Sequence, residues 1–283
     1  KGSQAARSRK TRSPEVSPRP CTSLLGMLPL KSVKRIAIVS DIHSNEEALE
    51  AVLEDIQESG ADEILCLGDL IGYGPNPRQV LRRAIRDFRF TLLGNHEESV
   101  LFQPVGFNWK AEASAWWTKA QIASPRHPKK ENDIFASYLR SMPRYMVEKD
   151  ILYVHASPLD PTREYILPET SYNWEHMKHI FRRIPRVAFG GHTHLPGIFF
   201  EKTPFLPQDN IDGPFPVTKG KFFVNVGSVG QPRDGDTRAC YVLFDGKTVT
   251  YRRVPYDYRV TARKIKRIKK LPNALGARLS LGV

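Results

Sequence analysis

Only three cysteines occur in 283 residues, Cys21, Cys66 and Cys240, too few and too odd in number for a disulfide framework. That fits a reducing, cytoplasmic setting. No apolar run approaches membrane-spanning length, and the short segment LLGMLPL carries Pro29 with no small-residue cleavage pattern after it. Neither membrane contact nor a signal peptide is expected, and there is no internal repeat. The body of the chain also lacks a basic surplus, although the formal net charge is +13. Residues 1–26 contribute +5 and residues 261–283 contribute +7, which leaves +1 for everything between. Cations confined to the two ends do not make a groove for DNA or RNA, so no specific nucleic-acid partner is indicated.

What remains is enough for a sizeable core: 40% of residues are hydrophobic. The length suits one α/β domain plus tails. The first stretch, residues 1–30, is Ser, Arg, Lys and Pro with little to bury, and reads as a disordered basic tail. Position 1 is Lys and Met27 falls just before the first regular segment, so we expect translation to start at Met27 and residues 1–26 to be upstream frame or a removable tail.

From Arg35 the pattern becomes regular and defines a domain over residues 31–257. RIAIVS reads as a buried strand. Asn45 can cap the next helix, in which Ala48, Leu49, Val52, Leu53 and Ile56 recur at helical spacing until Gly60. EILCLG is a second strand, PNPRQVLRRAIRDF a second helix opened by Pro77, and RFTLLG a third strand. Such alternation predicts a parallel sheet with helices on its faces, and ligands in such sheets bind at the carboxyl ends of strands. Residues 108–145 read as a helical cap insertion containing Trp116 and Trp117, which suit packing or, alternatively, base stacking. MVEKDILYVHASP predicts a hairpin turning at Lys149 and Asp150, and the strand-rich remainder a second sheet stacked on the first. PFLPQDNIDGPFP reads as a Pro-rich surface loop, and residues 258–283 as a basic amphipathic helical segment broken before Pro272.

Polar residues gather where strands end. Asp41 and His43 follow RIAIVS, Asp69 follows EILCLG, Asn95 and His96 follow RFTLLG, His155 follows ILYV, and His192 and His194 follow RVAFGG. Each alone has a plain explanation, such as helix capping by Asp or Asn. Delivered together to one rim, two carboxylates, several imidazoles and an amide are costly to bury unless something pairs them, and divalent cations do so. Imidazole with carboxylate suits Mn, Fe, Zn or Ni better than Mg or Ca. Seven ligand groups exceed what one ion with an open position uses, whereas two ions sharing a carboxylate fit.

DIH, GDLIGYG, GNHE, VHASP and GGHTH, in that order, resemble the five blocks of the calcineurin-like metallophosphoesterase superfamily. NVGSVGQPRDGD resembles a further block of a bacterial and archaeal branch related to diadenosine tetraphosphate hydrolases. The resemblance implies a four-layer α-β-β-α sandwich of two mixed sheets. It also implies two divalent ions, manganese first among them: Asp41, His43 and His194 on one, Asn95, His155 and His192 on the other, Asp69 bridging. His96 is then not a ligand but stands over the scissile bond, stabilising or protonating the leaving oxygen. The implied reaction is direct attack by water activated between the cations, with no covalent phosphoenzyme.

One departure matters. Protein phosphatases of the superfamily carry an Asp-Arg pair after the bridging aspartate, and here the block is GDLIGYG. A small phosphodiester or phosphoanhydride is therefore the better expectation, with dinucleoside polyphosphates first; phosphoproteins, cyclic nucleotides and general phosphodiesters are the alternatives. A binding scaffold without catalysis should lack a ligand or the leaving-group histidine, and none is missing. Arg233 is the candidate phosphate clamp, or else a surface arginine paired with Asp234 or Asp236; Tyr73 covers the substrate or packs the turn. His176 and His179 lie three apart on a predicted helix without a carboxylate or cysteine partner at recognisable spacing, which speaks against a second metal site.

Overall fold

The first strand, β1 (Ile36–Val39), sends alternate side chains to opposite faces, as extended backbone requires. Ile36 and Ile38 enter one apolar layer, Ala37 and Val39 another. That division runs through the molecule, a computed structural model that describes Gly2 and residues 35–283. The expected tail over residues 1–30, with its start at Met27, lies outside the described residues apart from Gly2.

After β1 the chain runs through α1 (Glu46–Ser59), β2 (Glu63–Cys66), α2 (Pro77–Asp87), β3 (Phe90–Thr91), α3 (Asn95–Leu101), α4 (Trp109–Ile122) and α5 (Lys129–Ser141). Strands β4 (Tyr145–Glu148) and β5 (Ile151–Val154) form the expected hairpin, with Lys149 in the left-handed region at φ 55°. Helix α6 (Trp174–Arg183) precedes β6 (Val187–Gly190), β7 (Gly197–Phe200), β8 (Leu206–Pro207), β9 (Phe215–Pro216), β10 (Phe222–Asn225), β11 (Ala239–Phe244) and β12 (Thr248–Val254). Helices α7 (Tyr258–Arg267) and α8 (Ala274–Ala277) close the chain.

Two mixed six-stranded sheets result, in the orders β3-β2-β1-β11-β12-β9 and β4-β5-β6-β10-β7-β8. They share a core in which Ile38, Leu65 and Val242 of the first meet Tyr153, Phe189 and Val224 of the second. On the outer face of the first sheet lie α1 and α2, through Leu49, Val52, Ile56, Val80 and Leu81, with Phe135 and Leu139 of α5. On the outer face of the second lies α6, through Met177, Ile180 and Phe181. The order is helix, sheet, sheet, helix.

Local rules hold at the elements that position the site. Asn45 caps α1 by accepting the Ala48 N–H at 3.2 Å, a device worth about 1 kcal/mol. Gly60 ends that helix in the left-handed conformation, φ 67°. The Pro-rich segment is more ordered than a loop reading implies: it supplies two edge strands, β8 paired with β7 and β9 paired with β12. Proline tolerates these places because edge strands leave some N–H positions unpaired. Trp117 is buried, whereas Trp116 is half exposed, with its indole N–H toward Glu112. Cys66 and Cys240 are both buried free thiols. No helix among the described residues is long and apolar enough to cross a membrane.

Candidate metal centre

Five strand ends converge. Asp41 and His43 follow β1, Asp69 follows β2, Asn95 and His96 open α3, His155 follows β5, and His192 and His194 follow β6. The turns that carry them are unusual in their backbone. Among the described residues eight non-glycine residues have positive φ, and seven of them belong here: Asp41, His43, Ser44, Asp69, Tyr73, His192 and His194. Such conformations cost roughly 1–3 kcal/mol each and persist only where the surroundings impose them. Crossing hydrogen bonds do so. Asp41 N–H donates to Gly68 O at 3.0 Å, His43 N–H to Asp69 O at 2.9 Å, and Ser44 N–H to Leu70 O at 2.8 Å.

Glu97 ties the second and third strand ends together. Its buried carboxylate accepts the N–H groups of Asp69 at 2.8 Å, Ile71 at 3.1 Å and Gly94 at 3.0 Å. Burial pushes its carboxyl up to about 7 in spite of these donors. Two glycines are required by close approach. A Cβ on Gly94 would strike the Asp69 carboxylate, and one on Gly191 would strike those of Asp41 and the Ser40 hydroxyl.

Four of the imidazoles, those of His43, His155, His192 and His194, share one arrangement. In each, one ring nitrogen faces a backbone carbonyl: His43 Nδ1 at Ile71 O (3.3 Å), His155 Nδ1 at Leu67 O (3.2 Å), His194 Nδ1 at Gln231 O, and His192 Nε2 at Arg163 O (3.1 Å). Since a carbonyl only accepts, that nitrogen carries the proton. The other nitrogen then offers a lone pair, and these lone pairs face one another: His43 Nε2 and His194 Nε2 are 3.2 Å apart, His155 Nε2 and His192 Nδ1 3.1 Å. Asn95 Oδ1 is 3.1 Å from His155 Nε2. Burial lowers all of these histidines, His194 to about 4, so the neutral form that metals bind is the resting one.

The carboxylates complete the pattern. Asp41 Oδ1 lies 3.1 Å from His194 Nε2 and has no hydrogen-bond donor. Asp69 Oδ2 stands centrally, 3.5 Å from His155 Nε2, 3.8 Å from His43 Nε2 and 3.9 Å from His96 Nε2. Burial, then the Glu97 and Asp41 charges, raise the Asp69 carboxyl well above the usual range. Buried acceptors crowded without donors fit divalent cations. Three groups of donor atoms are close enough to hold an ion: Asp41, His43 and His194; Asp69, His155 and His192; and His43, Asp69 and His96. The third brings His96, expected not to be a ligand, within reach of the same centre.

A cleft of about 220 Å³ opens beside Asn95 and His192, lined also by Tyr73, Phe107, Arg163 and Tyr165. The Tyr165 ring lies 4.0 Å from that of His192, and Phe107 lies 4.8 Å from His96. Tyr73 packs on His43 and His96, at 4.6 and 4.4 Å between centroids, while also lining the cleft. Arg233 is not paired with its neighbours: Asp234 pairs with Arg253 and Asp236 with Arg238. His176 does have an acidic neighbour, Glu164 at 2.7 Å, from a loop rather than from its own helix.

Sequence reasoning missed Glu97, Phe107, Arg163 and Tyr165. For Glu97 the final letter of GNHE was available; the other three sit in irregular segments with no period to mark them.

The family model for calcineurin-like phosphoesterases matches residues 34–196, a span that includes every strand-end residue above. An uncharacterized protein of Methanocaldococcus jannaschii is 37% identical over 258 residues, 87% of this chain and 98% of its own. A solved metallophosphoesterase from Sphaerobacter thermophilus is 34% identical with a TM-score of 0.74, the match covering 89% of this chain and 100% of that one. A hypothetical protein from Pyrococcus horikoshii shares the fold at a TM-score of 0.68 and 22% identity, over 88% of this chain and 98% of its own.

Proposed function

Since this chain belongs to the calcineurin-like phosphoesterase family, whose members are phosphoester hydrolases using a dinuclear divalent-metal site, we propose that it hydrolyses small phosphodiesters or phosphoanhydrides, dinucleoside polyphosphates among them, with manganese. The observation that carries this reading is the pair of inward-facing imidazole lone-pair couples on either side of the Asp69 carboxylate. Asp41, His43 and His194 would hold one cation, and Asn95, His155 and His192 the other. Asp69 would serve both. Bound there, the cations supply Lewis acidity, acidifying water and neutralising phosphate oxygens.

The remaining steps belong to side chains. His96 would hydrogen-bond or protonate the leaving oxygen: its Nδ1 is buried without a partner, and its backbone N–H donates to Asp69 Oδ1 at 3.0 Å, which holds the residue beside the centre. Arg233 would hold phosphate oxygens with its fork of donors. Tyr73, pinned against His43 and His96, would shield one side of the substrate. The narrow cleft and the absence of the Asp-Arg pair in GDLIGYG favour a small substrate over a phosphorylated protein segment.

The test combines two measurements. Metal analysis of the manganese-treated protein should give two ions per chain, and bis(p-nitrophenyl) phosphate should be hydrolysed. A screen ranking diadenosine tetraphosphate, cyclic nucleotides and phosphopeptides by kcat/KM should put the first ahead. Phosphopeptides at the top would overturn the substrate reading, and inertness toward every phosphate the reading as a whole.

A further inference from the structure

The cleft beside Asn95 and His192 does not end at its own walls. Gln103, Val105 and Arg163, which line it, also line a second space of about 530 Å³ that Glu98 and Phe102 complete. The inner cleft, at about 220 Å³, falls below the roughly 300–1,000 Å³ of pockets that enclose a whole ligand. One part of a substrate therefore fits beside the metal centre, and the rest has a continuous way out past Arg163.

Two features set the span between the spaces. Helix α3 begins at Asn95, beside His155, and its hydrogen bonding continues to the end, where Phe102 N–H donates to Glu98 O at 2.9 Å. At about 1.5 Å of rise per residue, Phe102 lies about 10 Å farther along the helix axis than Asn95. Arg163 bridges that interval. Its backbone oxygen faces Nε2 of the candidate ligand His192 at 3.1 Å, while its guanidinium pairs with Glu98 at 2.6 Å. Arg144 shares the same carboxylate at 2.5 Å, so two cations answer one anion and positive charge is left over. Among the described residues no other acid lines either space.

Phe102 and Val105 lack a packing role. They are 66% and 65% exposed and belong to none of the apolar clusters among the described residues. Phe102 is nonetheless fixed in place, since Lys119 Nζ donates to its carbonyl oxygen at 3.2 Å. Apolar side chains held outward on the rim of a groove mark a surface that a ligand covers. We propose that this outer groove takes the far end of a two-ended substrate, a nucleobase laid against Phe102 and Val105, while Arg163 holds the phosphates between the ends. The site thereby selects a polyphosphate with a nucleoside at each end over one with a nucleoside at one end. This rests on the phosphoesterase reading above and narrows its substrate. Continuity with the cleft, rather than exposure alone, picks the occupant. A base offers its flat face to an aromatic side chain, and the donor fork of Arg163 matches phosphate oxygens. Arg144 stays on Glu98 when Arg163 turns to phosphate.

The manganese-loaded full chain is assayed with diadenosine tetraphosphate and with adenosine tetraphosphate, which has the same number of phosphates and one nucleoside fewer. The wild type is expected to favour the first in kcat/KM. Loss of one base–aromatic stack corresponds to about tenfold, so Phe102→Ala should cut that ratio by about tenfold, chiefly through KM, and Phe102→Tyr should keep most of it. Arg163→Gln should lower kcat/KM for both tetraphosphates relative to bis(p-nitrophenyl) phosphate, whose single phosphate leaves it short of the groove. A wild type without the preference, a ratio unchanged in Phe102→Ala, or an equal drop in Phe102→Tyr overturns the groove as a nucleobase site. An equal loss on all three substrates in Arg163→Gln removes that residue from the phosphate chain. Should Phe102→Ala dissociate an oligomer and leave the ratio alone, the patch is a contact between copies of this chain instead. Partial unfolding of a variant lowers both tetraphosphates alike and does not move their ratio. Wild-type protein that holds two ions yet hydrolyses none of the three substrates fails the parent reading; calorimetric binding of the two tetraphosphates to wild type and Phe102→Ala then still reports on the groove.

Discussion

On one side of Asp69, His43 and His194 are both buried, and the space that His43 shares with Tyr73, Leu275 and Leu279 is about 10 Å³. On the other side, Asn95 and His192 border a cleft of about 220 Å³ whose walls carry Arg163, Tyr165 and Phe107. A void of the first size scarcely admits one water, whereas the second admits a substrate group. Nearly equivalent donor sets are thus given different access, and the difference comes from what covers them: the C-terminal segment on one side, irregular loops on the other. If both sets hold cations, the covered one should exchange slowly and the open one should meet the substrate.

The strongest way to break this comparison is to remove what the two sides share. Asp69→Asn should reduce hydrolysis to the level of metal-free protein and lower the content of both ions, as measured by elemental analysis; retention of either ion at full occupancy would show that the halves do not depend on a common carboxylate. Next in size, His96→Ala should lower kcat by about 10²–10⁴-fold while two ions remain bound. Loss of an ion there would make His96 a ligand, as the third donor group allows. Removing the lid is gentler. Chelation of the wild type should proceed in two phases, and Leu275→Ala, which costs about 2–5 kcal/mol of stability by opening a cavity, should speed the slow phase selectively. Smallest of all, Trp116→Ala on the half-exposed face of α4 should change stability by less than about 0.5 kcal/mol in denaturant unfolding and leave both phases alone.

The open and covered sides were also unequally readable in the sequence. Asp41, His43, Asp69, Asn95, His96, His155, His192 and His194 stood out because polar groups at the ends of short apolar runs break a clear pattern, and the runs fix their positions on one rim. The two-sheet architecture followed from the same runs. Glu97 was not legible as an organiser, because its partners are backbone N–H groups of Asp69, Ile71 and Gly94, which no letter of the sequence marks. Arg278 was hidden among the basic residues of the C-terminal segment, where charge at helical spacing reads as a solvated face; its place over Tyr73 depends on the tertiary packing of Leu275 and Leu279. Arg233 could not be separated from a surface arginine until Asp234 and Asp236 were found engaged by Arg253 and Arg238.

Left-handed turns are ordinarily given to glycine, but at Asp41, Asp69, His192 and His194 they carry the donor atoms themselves. Durability and activity are therefore opposed at single positions. Glycine in place of His192 would relax the chain and harden the metal-free protein against heat while deleting a donor, whereas alanine would delete the donor and keep the strain. Attempts to make this protein more robust by relieving its most uncomfortable backbone would thus dismantle the part that carries the chemistry.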